Sequence, residues 1–549
     1  MATNVINRRD AIRGAMLFGI GAATCSEKPA MADEVASNNG RWSWDVAPEP
    51  ITAIVETINA DIVVVGAGIA GVSAAQSAAE EGARVVVLEK TSQCNGRGLD
   101  IGNMGSAWFA DHPEYSKYHD ASDAERTYYE FSHCYVNRLL FRYWAQHSGE
   151  AFDHLSDYVS AEYGYEVNLS ATVNTSQFEA RDYYRELPTC LQFGYGWFDE
   201  DGNWWMQGIV NKIAQWAEGL GATFLFDSPA EQLVTDEDNR VVGVIASTSN
   251  GFVQVNASMG VILACGDIGG NPEMLEAWCP LALRTGSDVY NPAGANSGDG
   301  IKMALWAGAA TQHGPAAPMI HPMGPGGPLA QGGEQLGFLC VNRNGERYSC
   351  EVNNTPGMAN SRLVQPGGIS YTVFDANYAE KALSVRPDNV SISGGSIIND
   401  ETQEAIYAAV KEGELCFMGN SIEELAEKIG ADPSTLKNTV DRWNELCAQG
   451  VDTDMCLGSD RLTTIDTPPF YASFNPQANM VIIFGLNCDA HSRVCGPDDN
   501  PIDGLYAIGN MQGNFFAVDY PLICPGISHG RCLTFGYKLP KAIVKGELL

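Results

Sequence analysis

The sequence predicts an α/β fold with a parallel sheet, in a chain of more than one domain. Residues 61–65 form a β-branched run, a glycine-rich turn and a small-residue helix follow, and residues 84–88 form a second such run. Apolar runs without polar alternation are typical of strands buried on both faces of a parallel sheet. A chain of 549 residues is too long for a single hydrophobic core. We therefore expect two or more lobes.

The turn between the two runs, Gly66 to Gly71, has the spacing G-x-G-x-x-G. Gly66 permits the tight turn, Gly68 lets a pyrophosphate approach the start of the helix, and Gly71 lets the helix pack close to the sheet. Glu89 ends the second strand, where an acid can accept hydrogen bonds from ribose hydroxyls. Strand, glycines, helix, strand and acid in this order predict a site for NAD or FAD.

Later segments favour FAD. They are "SQCNGRGLDIG" (92–102), "DSPAEQLV" (227–234), "GVILACGDIGGN" (260–271), "NSGDGIKMALWAGA" (296–309) and "IDGLYAIGNMQG" (502–513). With these motifs the chain resembles the flavoproteins of the fumarate reductase/succinate dehydrogenase superfamily, in particular the flavocytochrome c and 3-ketosteroid dehydrogenase branch. The resemblance covers residues 59–315 and 482–549. It implies a Rossmann-like FAD-binding domain in two sequence segments, with an inserted α+β capping domain.

The resemblance implies that FAD is held by the residues that match the family's motifs. They are Gly66, Gly68, Ile69, Ala70, Gly71, Glu89, Lys90, Gly96, Arg97, Gly98, Gly102, Ala230, Ala264, Cys265, Gly266, Asp299, Gly509, Asn510, Ile527 and Ser528. The family usually has an acid where this chain has Asn510. The contact with the ribityl chain is therefore expected to be weaker or remodelled.

The resemblance also divides the chain. It implies a first FAD-binding part at 59–315 with an aromatic-rich insertion at 109–200, a capping domain at 316–481 and a second FAD-binding part at 482–549. Within the capping domain, one apolar stripe at helical spacing predicts packing rather than a binding face. The stripe consists of Ile422, Leu425, Ile429, Leu436, Val440 and Trp443.

Residues 1–32 resemble a twin-arginine export signal. Arg8 and Arg9 precede a short apolar stretch, and Ala30 and Ala32 suit a cleavage site. A lipid anchor at Cys25 and an ordinary N-terminal helix are the alternatives. The signal implies a periplasmic or extracytoplasmic location. FAD suits it because a tightly held flavin can be exported inside a folded protein, whereas cytosolic NADH cannot serve as the electron donor there.

Composition limits the partners. The net charge of −34 disfavours binding to nucleic acid or to anionic lipid. It is consistent either with a surface that only keeps the protein soluble or with a surface that binds a basic partner. No stretch approaches the roughly 20 apolar residues of a membrane span. The 15 cysteines include no C-x-x-C and no C-x-x-C-H, so we expect no metal site and no attached haem. Cys265, Cys340 and Cys532 are expected to pack as small hydrophobes.

Fumarate reductases of the family grip two carboxylates with histidine and arginine side chains, and a further arginine delivers the proton. His321 matches the family's early histidine. The proton-delivering arginine falls on Thr355, and the late arginine before the C-terminal helix is missing. Small dicarboxylates are therefore poor candidates, because two desolvated anions would lack partners. Arg362 is a second candidate proton donor if the loop is shifted.

The C-terminal segment is similar to 3-ketosteroid dehydrogenases. There a tyrosine hydroxyl and a glycine amide polarise a carbonyl conjugated to the reacting C–C bond. Tyr520 and Gly526 are the matching residues. Tyr520 lies two residues farther from the glycine than the family spacing, so a packing role for Tyr520 is the alternative.

These features predict an exported FAD-dependent oxidoreductase acting on CH–CH bonds. We expect it to reduce a C=C bond conjugated to a carbonyl, with electrons from a separate cytochrome or membrane quinol dehydrogenase. One alternative runs the same site in reverse, as a 3-ketosteroid Δ1-dehydrogenase. Another is a non-catalytic secreted flavoprotein that carries electrons.

Overall fold

The computed structural model describes most of the chain. The described residues are 42–98, 100–170, 187–194, 205–285, 287–290, 292–321, 326–330, 336–351, 355–389, 396–520 and 523–549. The predicted export signal at 1–32, with Cys25, lies outside them.

Strands and helices are numbered in chain order. The strands are β1 (Ile54–Val65), β2 (Val85–Leu88), β3 (Ile101–Gly102), β4 (Val167–Leu169), β5 (Cys190–Phe193), β6 (Thr223–Leu225), β7 (Ala230–Thr235), β8 (Val241–Thr248), β9 (Gly251–Leu263), β10 (Ala317–His321), β11 (Cys340–Asn342), β12 (Ser370–Asp375), β13 (Cys416–Gly419), β14 (Phe470–Phe474), β15 (Ala478–Ile483), β16 (Arg493–Cys495) and β17 (Pro501–Ala507). The helices are α1 (Ile69–Glu80), α2 (Ala107–Ala110), α3 (Pro113–Ser116), α4 (Ala121–Phe131), α5 (Arg138–Tyr163), α6 (Trp205–Gly219), α7 (Pro272–Trp278), α8 (Asp299–Trp306), α9 (Thr355–Leu363), α10 (Tyr378–Val385), α11 (Thr402–Glu412), α12 (Ile422–Ile429), α13 (Pro433–Gln449) and α14 (Ile527–Lys545).

The central sheet joins distant parts of the chain. Its strand order is β16-β17-β9-β1-β2-β6, and β8 adds to β9 with β7 beside it. The strands from β17 to β6 are parallel, with Val64 opposite both Ile262 and Val87. Tyr506 of β17 also lies opposite Ile262, so the late segment completes the sheet that the early segment begins. The predicted α/β class with a sheet from two sequence segments is confirmed.

Two helices cover one face of this sheet. α1 is rich in alanine and its residues 69–79 are all buried. α14 packs against it so closely that a Cβ on Gly536 would lie 2.7 Å from the Cβ of Ser73. The small residues of α1 thus bring α14, and with it the C-terminal segment, next to the glycine turn.

A separate antiparallel sheet, in the order β11-β12-β14-β13, lies in the range predicted for the capping domain. α12 and α13 pack on it, and all six residues of the predicted apolar stripe are buried there. The packing role is therefore confirmed. The two helices are separated at Gly430, whose φ is +73°, and Asp432 caps α13 through the amide of Thr435.

The range predicted as an aromatic-rich insertion contains the end of α2, all of α3 to α5, and the strands β4 and β5. β3, which completes the small sheet β3-β5-β4, precedes this range. Its residues 171–186 and 195–200 lie outside the described part. Cys340 and Cys532 are buried, and Cys265 is partly buried beside Val65. Over the described ranges, no helix is long and apolar enough to cross a membrane, and no cluster of three metal-ligating side chains occurs.

Candidate active site

The glycine turn forms a cradle at the carboxyl end of β1. Gly66 has φ +100°, and a Cβ there would lie 2.7 Å from the carbonyl oxygen of Ala264. A Cβ on Gly71 would lie only 1.8 Å from the carbonyl oxygen of Gly66. Gly68 precedes α1, which has no side-chain cap and no acid in its first turn. The amides of Ile69 and the following residues therefore form an N-terminus suited to a phosphate.

Glu89 holds the turn in place. Its Oε2 accepts a hydrogen bond from the backbone N of Ala67 at 2.8 Å, and its Oε1 accepts from the N and Oγ1 of Thr91 at 2.9 and 2.8 Å. Each carboxylate oxygen has two lone pairs, so acceptor capacity remains for a ribose hydroxyl. Lys90, the next residue, donates to Oγ of Ser297 at 2.7 Å and pairs with Asp299 at 3.0 Å. These contacts join the end of β2 to the start of α8.

Gly98 and Gly102 lie against the start of α14. The amide of Gly96 donates to Gln207 at 2.9 Å, and the guanidinium of Arg97 donates to the carbonyl of Met480 at 3.1 Å. Gly98 has φ +77°, and a Cβ there would touch the ring of His529 at 2.9 Å. The amide of Gly102 donates to the carbonyl of Gly526, at the start of α14, at 2.8 Å.

The remaining predicted cofactor residues lie at the carboxyl end of the sheet or beside it. Ala264, Cys265 and Gly266 follow β9 directly, and burial raises the pKa of the Cys265 thiol to about 12. Ala230 begins β7, which packs against α8. A Cβ on Gly509 would lie 2.9 Å from the Cβ of Ala70 in α1.

Asn510 links two buried charged groups that the sequence did not single out. Its Nδ2 donates to Oδ2 of Asp267 at 3.4 Å, and its Oδ1 accepts from Nη2 of Arg531 at 2.8 Å. Ser528 in the first turn of α14 donates to the same Oδ1 at 3.3 Å. Asp267 is fully buried, and Arg531 is 2% exposed. At position 510 an amide thus hydrogen-bonds to an anion on one side and a cation on the other, and the weaker or remodelled ribityl contact stays a prediction.

Asp267 and Arg531 have few other partners. Asp267 accepts from the hydroxyl of Tyr290 and the amide of Gly269, both at 2.8 Å, and burial raises the pKa of its carboxyl. Arg531 donates to the carbonyl of Gln512 at 3.2 Å and stacks on two phenylalanine rings, and burial lowers its pKa. A small cavity, about the size of one water molecule, lies beside this guanidinium. Its lining is Gln312, Val481, Ile482, Ile483, Phe484, Asn510, Gln512, Phe516 and Arg531.

Tyr520 and Gly526 meet at the N-terminus of α14. The hydroxyl oxygen of Tyr520 accepts a hydrogen bond from the backbone N of Ser528 at 3.0 Å, and burial raises the pKa of the phenol. Gly526 precedes Ile527 with φ +73°, and a Cβ there would lie 2.6 Å from the sulfur of Cys190. The longer spacing between Tyr520 and Gly526 therefore still brings the phenol to the start of the helix.

His321 and Arg362 lie elsewhere in the site region. His321 ends β10, and its buried Nε2 has no hydrogen-bond partner within the described ranges. Burial lowers the pKa of its ring to about 4. Arg362 is fully buried in α9, where its Nη1 donates to the carbonyl of Pro476 at 3.5 Å and its guanidinium faces Tyr348. No hydrogen bond between described residues connects either side chain to Tyr520.

Sequence reasoning missed three further groups near the start of α14. Nδ1 of His529 donates a hydrogen bond to the carbonyl of Asp100 at 2.6 Å, and burial lowers the pKa of the ring to about 4. Because a carbonyl only accepts, the proton lies on Nδ1. Asn103 is buried after β3, with neither amide atom hydrogen-bonded among the described residues. Asp519 directly precedes Tyr520. Two of these groups had a signal in the sequence. Asp519 is an acid next to a candidate tyrosine, and His529 lies between two glycines at the start of the C-terminal helix.

These features define a class of protein. The N-termini of α1 and α14 lie beside closely approaching glycines, and the buried amide of Asn103 has no hydrogen-bond partner among the described residues. These features fit a bound dinucleotide with a polar ring edge. The family model described as "FAD binding domain" matches residues 61–522. The chain belongs to this family, and FAD is its cofactor.

Similarity to known proteins agrees with this family. The chain is 26% identical to NADH:acrylate oxidoreductase of Vibrio harveyi over 84% of this chain and 48% of that protein. It is 25% identical to vinyl phenol reductase of Lactiplantibacillus plantarum over 85% and 93% of the two chains. Its fold matches a 3-ketosteroid Δ1-dehydrogenase of Sterolibacterium denitrificans with a TM-score of 0.66, at 18% identity, covering 89% and 100% of the two chains.

The predicted cofactor is therefore confirmed, as is the predicted class of FAD-dependent oxidoreductase acting on CH–CH bonds. The assignment of individual residues to FAD and to catalysis stays a prediction.

Proposed function

We propose that the protein reduces a C=C bond conjugated to a carbonyl group, in a substrate other than a small dicarboxylate. The position of the Tyr520 hydroxyl carries this proposal. Its oxygen accepts the amide N–H of Ser528, which leaves its own proton available for a carbonyl oxygen. Because burial raises the pKa of Tyr520, the phenol is protonated at neutral pH.

FAD, when bound and reduced, supplies a hydride to the β-carbon of such a substrate. The protein's own task is to stabilise the negative charge that then develops on the carbonyl oxygen. The hydroxyl of Tyr520 and the amide of Gly526 are the proposed donors, and fixed donors of this kind act strongly where water is excluded. Tyr520 is only 4% exposed, so water is excluded around its hydroxyl. An acid must then protonate the α-carbon.

The arginines support a substrate without two carboxylates. Arg362 faces Pro476 and Tyr348, and Arg531 is held by Asn510 and Gln512. His321, whose pKa burial lowers to about 4, is neutral near pH 7 and offers no charge to an anion. Two carboxylates taken out of water need paired cations, and these contacts do not provide a pair.

Residues 1–32 and the charge of −34 support two further parts of the proposal. The protein is exported through the twin-arginine route to an extracytoplasmic site, and a separate cytochrome or membrane quinol dehydrogenase reduces it there. A strongly acidic surface would attract a basic face on that donor.

The test is to reduce the purified flavoprotein with dithionite and follow reoxidation of the flavin by enones, enoates, fumarate and 3-ketosteroids. We expect rapid reoxidation by an enone or monoenoate and slow reoxidation by fumarate. Tyr520→Phe should lower the enone rate by roughly 100-fold, the usual effect of losing one donor to a developing oxyanion. The exposed Tyr407 supplies the control, Tyr407→Phe, which should react at the normal rate. Fast reoxidation by fumarate alone would contradict the proposal.

A second function, 3-ketosteroid Δ1-dehydrogenation, is favoured by the meeting of Tyr520 and Gly526 at one helix start. It predicts that a saturated 3-ketosteroid reduces the oxidised flavin in the presence of an artificial electron acceptor. If no compound of either panel changes the flavin's redox state, a non-catalytic electron carrier is the remaining function.

A further inference from the structure

Asp519 is a shielded carboxyl group beside the proposed carbonyl site. It directly precedes Tyr520, and its Oδ1 accepts a hydrogen bond from the backbone N of Tyr520 at 2.7 Å. Nδ2 of Asn360, in α9, approaches its Oδ2 at 3.4 Å. Asp519 therefore lies where the chain entering α14 meets the helix from the predicted capping domain. Within the described ranges it forms no ion pair with a lysine, arginine or histidine.

The residue before Asp519 has an unusual backbone conformation. Val518 has φ +71°, in the left-handed region that a β-branched residue rarely adopts. The residues on either side, Ala517 and Asp519, form an antiparallel bridge across it. Such strain persists where the surrounding structure fixes a side chain in a particular place. Here the fixed side chain is the carboxyl group next to Tyr520.

We propose that Asp519 is the acid that protonates the α-carbon of the substrate. This proposal rests on the proposed reduction of a conjugated C=C bond. The family's proton-delivering arginine is absent from the sequence position at which it is expected, and Asp519 takes over its role.

The surroundings suit Asp519 to this task better than its neighbours. Burial raises the pKa of its carboxyl to about 6, so a useful fraction is protonated near neutral pH. On α9, Asn360 contacts it, whereas Arg362, two residues on, points to the other side of the helix and faces Tyr348. On β10, which packs against α9, burial lowers the pKa of His321 to about 4. The ring is therefore neutral near pH 7, and it does not act as an acid there.

The reaction balances without further reagents. The β-carbon gains a hydride from the reduced flavin, which becomes oxidised by two electrons, and the former C=C electron pair moves toward the carbonyl. That pair then returns to form a C–H bond at the α-carbon, while the O–H bond of the Asp519 carboxyl breaks. The carboxylate regains its proton from water. The net change is addition of two hydrogens to the substrate.

The experiment compares Asp519→Asn and Asp519→Glu with the wild-type flavoprotein. Asp519→Asn should lower the rate of flavin reoxidation by an enone by roughly 100-fold to 10,000-fold, the usual contribution of a positioned acid. Its flavin content, and the spectral shift that the enone causes in the oxidised flavin, should stay unchanged. Asp519→Glu should recover part of the rate. The matched control is Asp460→Asn, because the side chain of Asp460 is 80% exposed in the same predicted capping domain as Asn360.

The pH profile gives a second readout. The wild-type rate should fall above pH 6, and the residual rate of Asp519→Asn should lack this fall. Infrared difference spectra should show one carboxyl group that titrates near pH 6 in the wild type and is missing in Asp519→Asn. Equal rates in both proteins, or the absence of that titration, would overturn the role of Asp519. If no enone reoxidises the wild-type flavin, the proposed function fails, and the infrared titration still tests the acid.

Discussion

Asp267 and Arg531 are opposite charges separated by a single amide. Asn510 donates to the carboxylate and accepts from the guanidinium. Asp267 and Arg531 are buried, and Asn510 and Arg531 line the cavity. The amide therefore lies between the carboxylate and the guanidinium and hydrogen-bonds to both.

This relationship predicts the effect of Asn510→Leu. The change removes one partner from a buried anion and one from a buried cation, so we expect the free energy of unfolding to fall by about 3 kcal/mol. Urea denaturation of the flavin-loaded protein measures it. Asn500→Leu, which removes only a contact with Asp498 at the surface, is the control. An unchanged urea midpoint for Asn510→Leu would show that Asp267 and Arg531 do not depend on Asn510 as a hydrogen-bond partner.

Gly71→Ala should give a colourless protein. The new methyl group would lie 1.8 Å from the carbonyl of Gly66, so either the turn or α1 must move and the cradle for the pyrophosphate is lost. Absorbance of the flavin per polypeptide measures the result. Gly82→Ala is the control, since a Cβ there meets nothing within 4 Å, although φ is +84°. It should reduce stability by about 1 kcal/mol and keep the colour.

Acid should weaken the fold through His529. Burial lowers its pKa from 6.5 to about 4, so the unfolded chain binds a proton first as the pH falls. The stability that this histidine contributes is present above pH 6.5 and is lost between pH 6.5 and 4, which amounts to about 2 kcal/mol at pH 5.

Denaturation at pH 7 and pH 5 checks this dependence. His529→Asn should be less sensitive to acid than the wild type, because one proton-binding difference between the two states is gone. Equal sensitivity of the wild type and His529→Asn would contradict the assignment.

The predicted capping domain depends on a buried cation. Arg347 pairs with Glu351 at 2.6 Å and with Asp452 at 2.8 Å, and both carboxylates are fully buried. Arg347→Met leaves two anions without their partner, so we expect a loss of about 4 kcal/mol in unfolding free energy. Arg442→Met, which breaks a surface pair with Asp454, should leave the denaturation midpoint in place. A similar shift for both variants would mean that burial of the pair does not matter.

The sequence predicted those structural features that are determined by residues close together in the chain. The strand, glycine turn and helix at 61–80 were recognisable because each residue's task follows from its position in one short segment. The apolar stripe at 422–443 was predicted as packing, and its division into two helices follows from Gly430 and from the cap at Asp432. β1 is longer than predicted because its first residues, from Ile54, pair with the first residues of β9, from Phe252.

The sequence did not predict contacts between distant residues. Asp267 and Asn510 are 243 positions apart, and Asn360 and Asp519 are 159 apart. Such pairs depend on how β17 and α14 dock on the early half of the chain, which no local pattern encodes. The raised pKa of Asp519 has the same origin, since it follows from burial between two remote segments.

The parallel docking of β17 on β9 sets the time at which the protein can take up its flavin. During synthesis the glycine turn at 66–71 leaves the ribosome more than four hundred residues before α14 does. A nascent chain thus has one part of the predicted FAD site and lacks the other. We therefore expect a ribosome stalled within the predicted capping domain to carry a chain with no yellow colour.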